Sequence, residues 1–183
     1  WPAVSSLTDK IVLVLSGDRT TRRAYLFDEG RDPAIAVSAN FRVVTLHNDG
    51  GERLWYWTGK STDLGGSVTW LHHGRYDTGR NPSLLFIDNN WVAEVHRSHT
   101  RDRLFGAVGR YQADGTIAWY PERELFDGRT SHLSLDAEGR IRLRFENTSG
   151  DISVAYGERQ GFQLVFDAPS ETDDALGDPL LEV

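Results

Sequence analysis

The sequence contains no cysteine and no methionine, and lysine occurs only at positions 10 and 60. Without cysteine, neither disulfide bonds nor thiolate metal sites can form. The net charge of -7 and the scarcity of lysine argue against a nucleic-acid partner, which requires clustered basic side chains. No apolar run approaches the roughly 20 residues that a membrane-spanning helix needs. We therefore expect neither nucleic-acid binding nor a membrane span.

Helical patterning is also missing. No window places apolar side chains at positions i, i+3, i+4 and i+7, and the 18 glycines disfavour long helices. We therefore expect almost no helix.

The start of the sequence has no initiating methionine and no charged-then-apolar secretory leader. We therefore expect a chain that is either processed or part of a longer one.

A repeated segment is the main feature that the sequence does contain. The stretch from Tyr76 to His96 matches the stretch from Phe27 to His47 without a gap, at a spacing of 49 positions. A fixed period of this length indicates an array of one supersecondary unit. The residues shared by the two copies are Asp28 and Asp77, Gly30 and Gly79, Arg31 and Arg80, Pro33 and Pro82, and His47 and His96, while Gly128 and Arg129 continue the series.

Four strand signals recur in each unit, separated by turn clusters rich in Asp, Asn and Gly. In the clearest copy they are SLLFI, WVAEVH, LFGAVG and TIAWY. Four short strands in about 49 residues are typical of a propeller blade. We therefore predict an all-β, β-propeller-like array of four-stranded antiparallel units, with a β-trefoil as the alternative.

The domain prediction separates a leading strand at residues 1–17 from a repeat domain at residues 18–183. The run KIVLVLSG in the leading part predicts a strand buried on both faces, which could be the remnant of an upstream domain. Because fewer than four whole units fit, either the end of the chain completes the first unit or several chains build one ring. The predicted units lie at about 18–33, 34–82, 83–131 and 132–183.

The turn motif D-x-G-R-x-P in the first two copies has a local explanation. The Asp accepts hydrogen bonds from following N–H groups, the Gly supplies a positive φ, and the Pro starts the next strand. Turn geometry does not require the recurring arginines Arg31, Arg80 and Arg129. They are candidates for binding a hydroxyl, carboxylate or phosphate, or for ion pairs between units.

Aromatic and polar residues complete the candidate ligand site. Trp55 and Trp57 are not kept as tryptophan in the next copy, so stacking on a sugar and packing between units are both open. Tyr76 stands directly before the turn motif, Asp77 begins that motif, and Glu94 and His96 share one face of a strand. A hydrogen-bonded structural pair is a more economical interpretation of Glu94 and His96 than a catalytic pair.

Chemical motifs are otherwise lacking. The histidines have no recognised metal-ligand spacing, and there is no phosphate-cradling loop, nucleophile elbow or paired-carboxylate arrangement. We therefore predict no catalytic residue, no metal site and no cofactor.

Two resemblances concern the origin of the chain. The leading segment, with Trp1-Pro2 followed by Asp9-Lys10 and an apolar strand, resembles the late barrel strand of bacterial phosphatidylinositol-phospholipase-C-like phosphodiesterases. The repeat, with Y-D-x-G-x-x-P-S, W-V-x-E-V-H and L-W-Y-x-x-G, resembles propeller-like modules appended to such secreted enzymes. The resemblance implies a secreted or extracellular module that binds a carbohydrate or a cell surface and follows an upstream catalytic domain.

Three functions remain open on this basis. The first is a non-catalytic, lectin-like module with repeated shallow sites that gain strength from multivalency. The second is the C-terminal fragment of a phosphodiesterase that cleaves phosphoinositide headgroups. The third is a structural or assembly module, with homo-oligomerisation as one form of it. The exposure of the tryptophans and of the repeated arginines distinguishes binding from packing.

Overall fold

A computed structural model describes residues 3–7, 10–16, 22–61 and 68–171, with side chains from residue 28 onward in these ranges. The described residues form strands joined by turns and contain no helix, which confirms the all-β prediction. None of their elements is therefore a helix long and apolar enough to cross a membrane.

The residues described in these ranges form four antiparallel sheets that follow one another in chain order. We call β1 to β3 the leading sheet, β4 to β7 the first module, β8 to β12 the second module and β13 to β17 the third module. The bounds are β1 Ala3–Leu7, β2 Lys10–Ser16, β3 Arg22–Glu29, β4 Arg31–Val37, β5 Arg42–Asn48, β6 Arg53–Ser61, β7 Val68–Thr78, β8 Arg80–Phe86, β9 Trp91–Arg97, β10 Arg103–Tyr111, β11 Ile117–Trp119, β12 Arg123–Asp127, β13 Ser131–Leu135, β14 Ile141–Glu146, β15 Ile152–Gln160, β16 Gln163–Phe166 and β17 Ser170–Glu171.

Each module is a four-stranded meander whose strands pair in chain order. In the first module the fourth strand, β7, is continuous along β6. In the second module the same edge of β10 pairs with β11 at one end and β12 at the other, so the fourth strand is interrupted. The third module repeats this interruption with β16 and β17 along β15. The predicted unit of four strands is therefore present three times.

The apolar alternation that predicted these strands also places the core. Along β14, Ile141, Leu143 and Phe145 are buried while the intervening arginines are half-exposed, because successive side chains point to opposite faces. One core cluster lies between the first and second modules and includes Val44 and Val92. A second lies between the second and third modules. The middle sheet is thus covered on both faces, and its strand β9 is buried almost throughout.

The 49-residue spacing corresponds to a repeated packing contact. A Cβ on Gly79 would overlap the ring of His96, and a Cβ on Gly30 would lie 2.8 Å from Cδ2 of His47. In the third module Gly128 has the same relation to Phe145, at 2.7 Å from Cδ2. Glycine is required at all three places because a flat ring from the second strand of each module lies directly against its backbone.

The turn between modules differs in part from the prediction. Gly30 has a positive φ of 158°, as we predicted, but Gly79 is not among the positive-φ residues, and the residues in the left-handed region are Asp32, with φ 52°, and Asn81, with φ 50°. The strands also begin before the prolines, and their register shifts at this point, as in a β-bulge. Asp and Asn tolerate this conformation better than other non-glycine residues.

Candidate functional site

An open cleft lies where the leading sheet meets the first module. Its volume is about 290 Å³. The end of β3 contributes two carboxylates, and β5, β6 and β7 contribute the histidine and tryptophan side chains. We call this site the histidine cleft, and its lining residues are Asp28, Glu29, His47, Asp49, Trp55, Trp57 and His73.

The tryptophans of the histidine cleft are held by specific contacts. The indole N–H of Trp57 donates to Asp28 Oδ2 at 2.6 Å. The ring of His73 stacks on Trp57 at 4.4 Å between centroids, and Trp55 lies on the same histidine at 6.2 Å. Both tryptophans remain partly exposed. The cleft therefore presents aromatic faces that are fixed in orientation and accessible from solvent.

His47 forms the floor of the histidine cleft. Its Nε2 lies 3.6 Å from Asp28 Oδ2, and its side chain is only 4% exposed. Burial lowers the pKa of His47 below its ordinary value, and the nearby His73 adds to this effect, although Asp28 and Asp49 oppose it. The imidazole is therefore largely neutral near neutral pH, and the carboxylates give the cleft a negative charge.

The corresponding position of the second module holds a buried ionic cluster. Glu94 and His96 on β9 are both fully buried. Glu94 lies 3.0 and 3.1 Å from His96 Nδ1 through its two oxygens, and the hydroxyl of Tyr76 donates to Glu94 at 3.2 Å. Glu122, in the gap between β11 and β12, lies 3.2 Å from His96 Nε2. The cluster satisfies Glu94 with two donors, as a buried carboxylate requires.

The charged side chains of this cluster shift one another's pKa values. Burial disfavours a charged His96, yet Glu94, Glu122 and Asp77 together raise its pKa to about 10. Burial raises the pKa of Glu94, and His96 opposes that shift. The pKa of Asp77 is raised by burial and by the neighbouring Glu122, while its hydrogen bond from Thr78 N–H opposes the shift. Carboxylates face His96 on two sides, so the raised pKa of His96 dominates the pair.

The third module replaces this chemistry with an apolar contact. Phe126 and Phe145, 49 positions after Asp77 and His96, stack at 5.2 Å with their planes 3° apart. Leu143 stands 49 positions after Glu94 and is fully buried. One structural position thus carries a histidine cleft, an ionic cluster and a phenyl pair in successive modules.

The structure separates the predicted ligand residues into three places. Trp55 and Trp57 lie in the histidine cleft, whereas Tyr76, Asp77, Glu94 and His96 form the buried ionic cluster. Arg31 and Arg80 are exposed at the first position of their strands. Arg129 donates to Asp102 at 2.9 Å, which links the second and third modules. Among the described residues, no arginine lines the cleft.

Sequence reasoning omitted several residues that the structure brings together. Asp28, His47 and His73 line the cleft, and Glu122 completes the ionic cluster. The repeat itself could have indicated them, because His47 stands 49 positions before His96 and His73 stands 49 positions before Glu122. Glu29 and Asp49 line the cleft because they lie close in the chain to Asp28 and His47, and the repeat does not indicate them.

Comparisons with known proteins leave the identification to the structure. No protein-family model matches this chain, and no curated protein matches it. The geometry of the cleft can stack a flat or faceted apolar surface and accept hydrogen bonds through carboxylates.

Proposed function

We propose that this chain is a lectin-like binding module that holds a neutral or amino-substituted sugar in the histidine cleft. The observation that carries the proposal is the partly exposed pair Trp55 and Trp57 beside Asp28. Sugars present apolar C–H faces that stack on indole rings and hydroxyl groups that donate to carboxylates. The bond from Trp57 to Asp28 supports the proposal because it fixes one ring before a ligand arrives.

The charge of the cleft selects among ligands. Asp28, Glu29 and Asp49 are all acidic, and no arginine or lysine is among the lining residues described. An anionic ligand would bring like charges together in a partly desolvated site, which is unfavourable. This argues against phosphoinositide headgroups as ligands of this cleft, and it favours neutral sugars or sugars that carry an ammonium group.

A single cleft of this kind supports weak binding. The ligand would be covered on one side only, so we expect a Kd on the order of 1 mM, equivalent to about -4 kcal/mol. The proposal concerns the first module, because the equivalent positions of the other modules are a buried cluster and a phenyl pair. Avidity would then have to come from several copies of the chain.

The test is a titration of neutral, amino and acidic monosaccharides followed by tryptophan fluorescence or saturation-transfer NMR. We expect the neutral or amino sugars to bind and the acidic sugars to bind at least tenfold more weakly. Trp55→Leu and Asp28→Asn should each weaken binding at least tenfold.

The matched control is Trp91→Leu, since Trp91 lies beneath Arg159, outside the residues that line the cleft. It should leave sugar binding unchanged. If no sugar binds, or if Trp91→Leu and Trp55→Leu weaken binding equally, the proposal fails.

A further inference from the structure

The buried ionic cluster contains a second arrangement of side chains that a sugar site does not explain. One nitrogen of His96 and one oxygen each of Asp77 and Glu122 all lie within 4.8 Å of one another. The three residues come from separate places in the chain: Asp77 from the end of β7 in the first module, and His96 and Glu122 from β9 and from the segment between β11 and β12 in the second module. This separation explains why no spacing in the sequence indicated them.

The ring of His96 is held as a metal ligand is usually held. Glu94 accepts from Nδ1, and Tyr76 in turn donates to Glu94. Metal-binding histidines commonly direct their second ring nitrogen at a carboxylate in this way, which fixes the ring and raises its basicity. The other ring nitrogen, Nε2, faces Glu122 at 3.2 Å, on the side of the ring where Asp77 and Glu122 could share a ligand with it.

A second observation points to a missing ligand at the same place. His96 is fully buried, and its Nε2 has no well-aligned hydrogen bond among the described residues, although Glu122 Oε2 lies 3.2 Å away. A buried polar atom without an aligned partner is uncommon in a folded protein. From the donors and the buried nitrogen, we propose that Asp77, His96 and Glu122 bind a divalent first-row transition metal ion such as Zn²⁺ or Mn²⁺.

The ligand set favours this class of ion. One imidazole and two carboxylates suit Zn²⁺ and Mn²⁺, whereas Ca²⁺ takes six to eight oxygen ligands. Three protein ligands leave at least one position for water. Entry is from the surface, because Glu122 has a side chain 39% exposed while the histidine is buried.

The other modules act as internal comparisons. In the third module the positions of Asp77 and His96 are held by Phe126 and Phe145, which offer no ligand atom. In the first module Asp28 receives the Trp57 N–H, and His73 stacks on the same tryptophan, so these two side chains are already engaged. Among the residues that the structure describes, such a ligand set therefore lies together only at the position of the ionic cluster.

The experiment is calorimetric titration of the untagged, chelator-treated protein with ZnCl₂ and MnCl₂, and visible absorption with CoCl₂. We expect one equivalent of metal to bind and cobalt to give the absorption of a site with nitrogen and oxygen ligands. Glu122→Gln should weaken binding by about 10- to 100-fold or more, since it replaces a charged ligand on an accessible side chain.

The matched control is Glu124→Gln, because Glu124 lies two residues away, is exposed and pairs with Arg103. It should bind metal as the unaltered protein does. Asp77→Asn provides a second variant that removes a ligand without touching the buried pair. If saturable binding at one equivalent is missing, or if Glu122→Gln and Glu124→Gln behave alike, the cluster is an ion-pair network only and the proposal is overturned.

Discussion

Replacement of Glu94 by Leu should destabilise the second module strongly. The substitution leaves His96 fully buried without a partner for Nδ1, and it removes the acceptor of the Tyr76 hydroxyl. Breaking one side of a buried charged pair costs about 3–5 kcal/mol. For a chain of this size, that corresponds to a fall in Tm of about 6–20 °C.

The double variant Glu94→Leu/His96→Phe should recover much of this loss. It installs the residues that the third module already has at Leu143 and Phe145, and the contact of Phe145 with Gly128 shows that the backbone accepts a phenyl ring there. The Tyr76 hydroxyl still lacks its acceptor, so we expect about 1–3 kcal/mol of remaining destabilisation. His96→Phe alone should cost about as much as Glu94→Leu, since it leaves a buried carboxylate.

Urea-induced unfolding, followed by tryptophan fluorescence with a chelator present, measures the four free energies of unfolding. Glu158→Leu is a suitable control because Glu158 is exposed on a strand, and it should change the stability by less than about 0.5 kcal/mol. The reasoning is refuted if Glu94→Leu costs no more than this control. It is also refuted if the double variant loses the sum of the two single losses, because the residues would then be energetically independent.

Three further predictions concern the repeated contacts and the cleft. Gly79→Ala should destabilise the protein by at least about 1–3 kcal/mol, because the new methyl group would overlap the His96 ring, whereas Gly51→Ala in an exposed turn should be nearly neutral by the same urea assay. Asn81→Ala should cost about 1–2 kcal/mol and Asn81→Gly should not, since the backbone there has φ 50°; equal thermal shifts for both would contradict this. Burial lowers the pKa of His47 in the folded state, His73 adds to this effect, and Asp28 and Asp49 oppose it, so the stability that His47 contributes should decrease as the pH falls through 6.5 and below. The difference in unfolding free energy between the wild type and His47→Phe should therefore become smaller from pH 8 to pH 5. A difference that grows over this range would show that the acidic neighbours dominate.

The regular part of the fold could be predicted from local patterns. The predicted strand WVAEVH became β9 with one residue added, because its apolar residues and flanking turns already specify a short extended segment. The period of 49 residues predicted that His47 and His96 would occupy equivalent positions, and both are buried on the second strand of their modules. Such features depend on neighbours in the sequence or on the repeat itself.

Other features depend on contacts that no local pattern contains. Glu122 reaches His96 because the fourth strand of the second module is interrupted between β11 and β12, whereas the sequence there predicted a single strand signal, TIAWY. The left-handed conformation lies at Asp32 and Asn81 because a bulge follows each glycine, and the glycines are needed for the ring that packs on them. The pairing partner across the sheet decides both outcomes.

The contact between a glycine and a flat ring has a wider consequence. The glycine backbone at this position leaves room only for a flat side chain packed against it, and an imidazole ring and a benzene ring both fit. Polarity can therefore be exchanged at this position without moving the scaffold, provided that the neighbours that satisfy the ring are exchanged with it. The chemistry of one module could therefore be engineered into another by exchanging this ring together with the side chains that contact it.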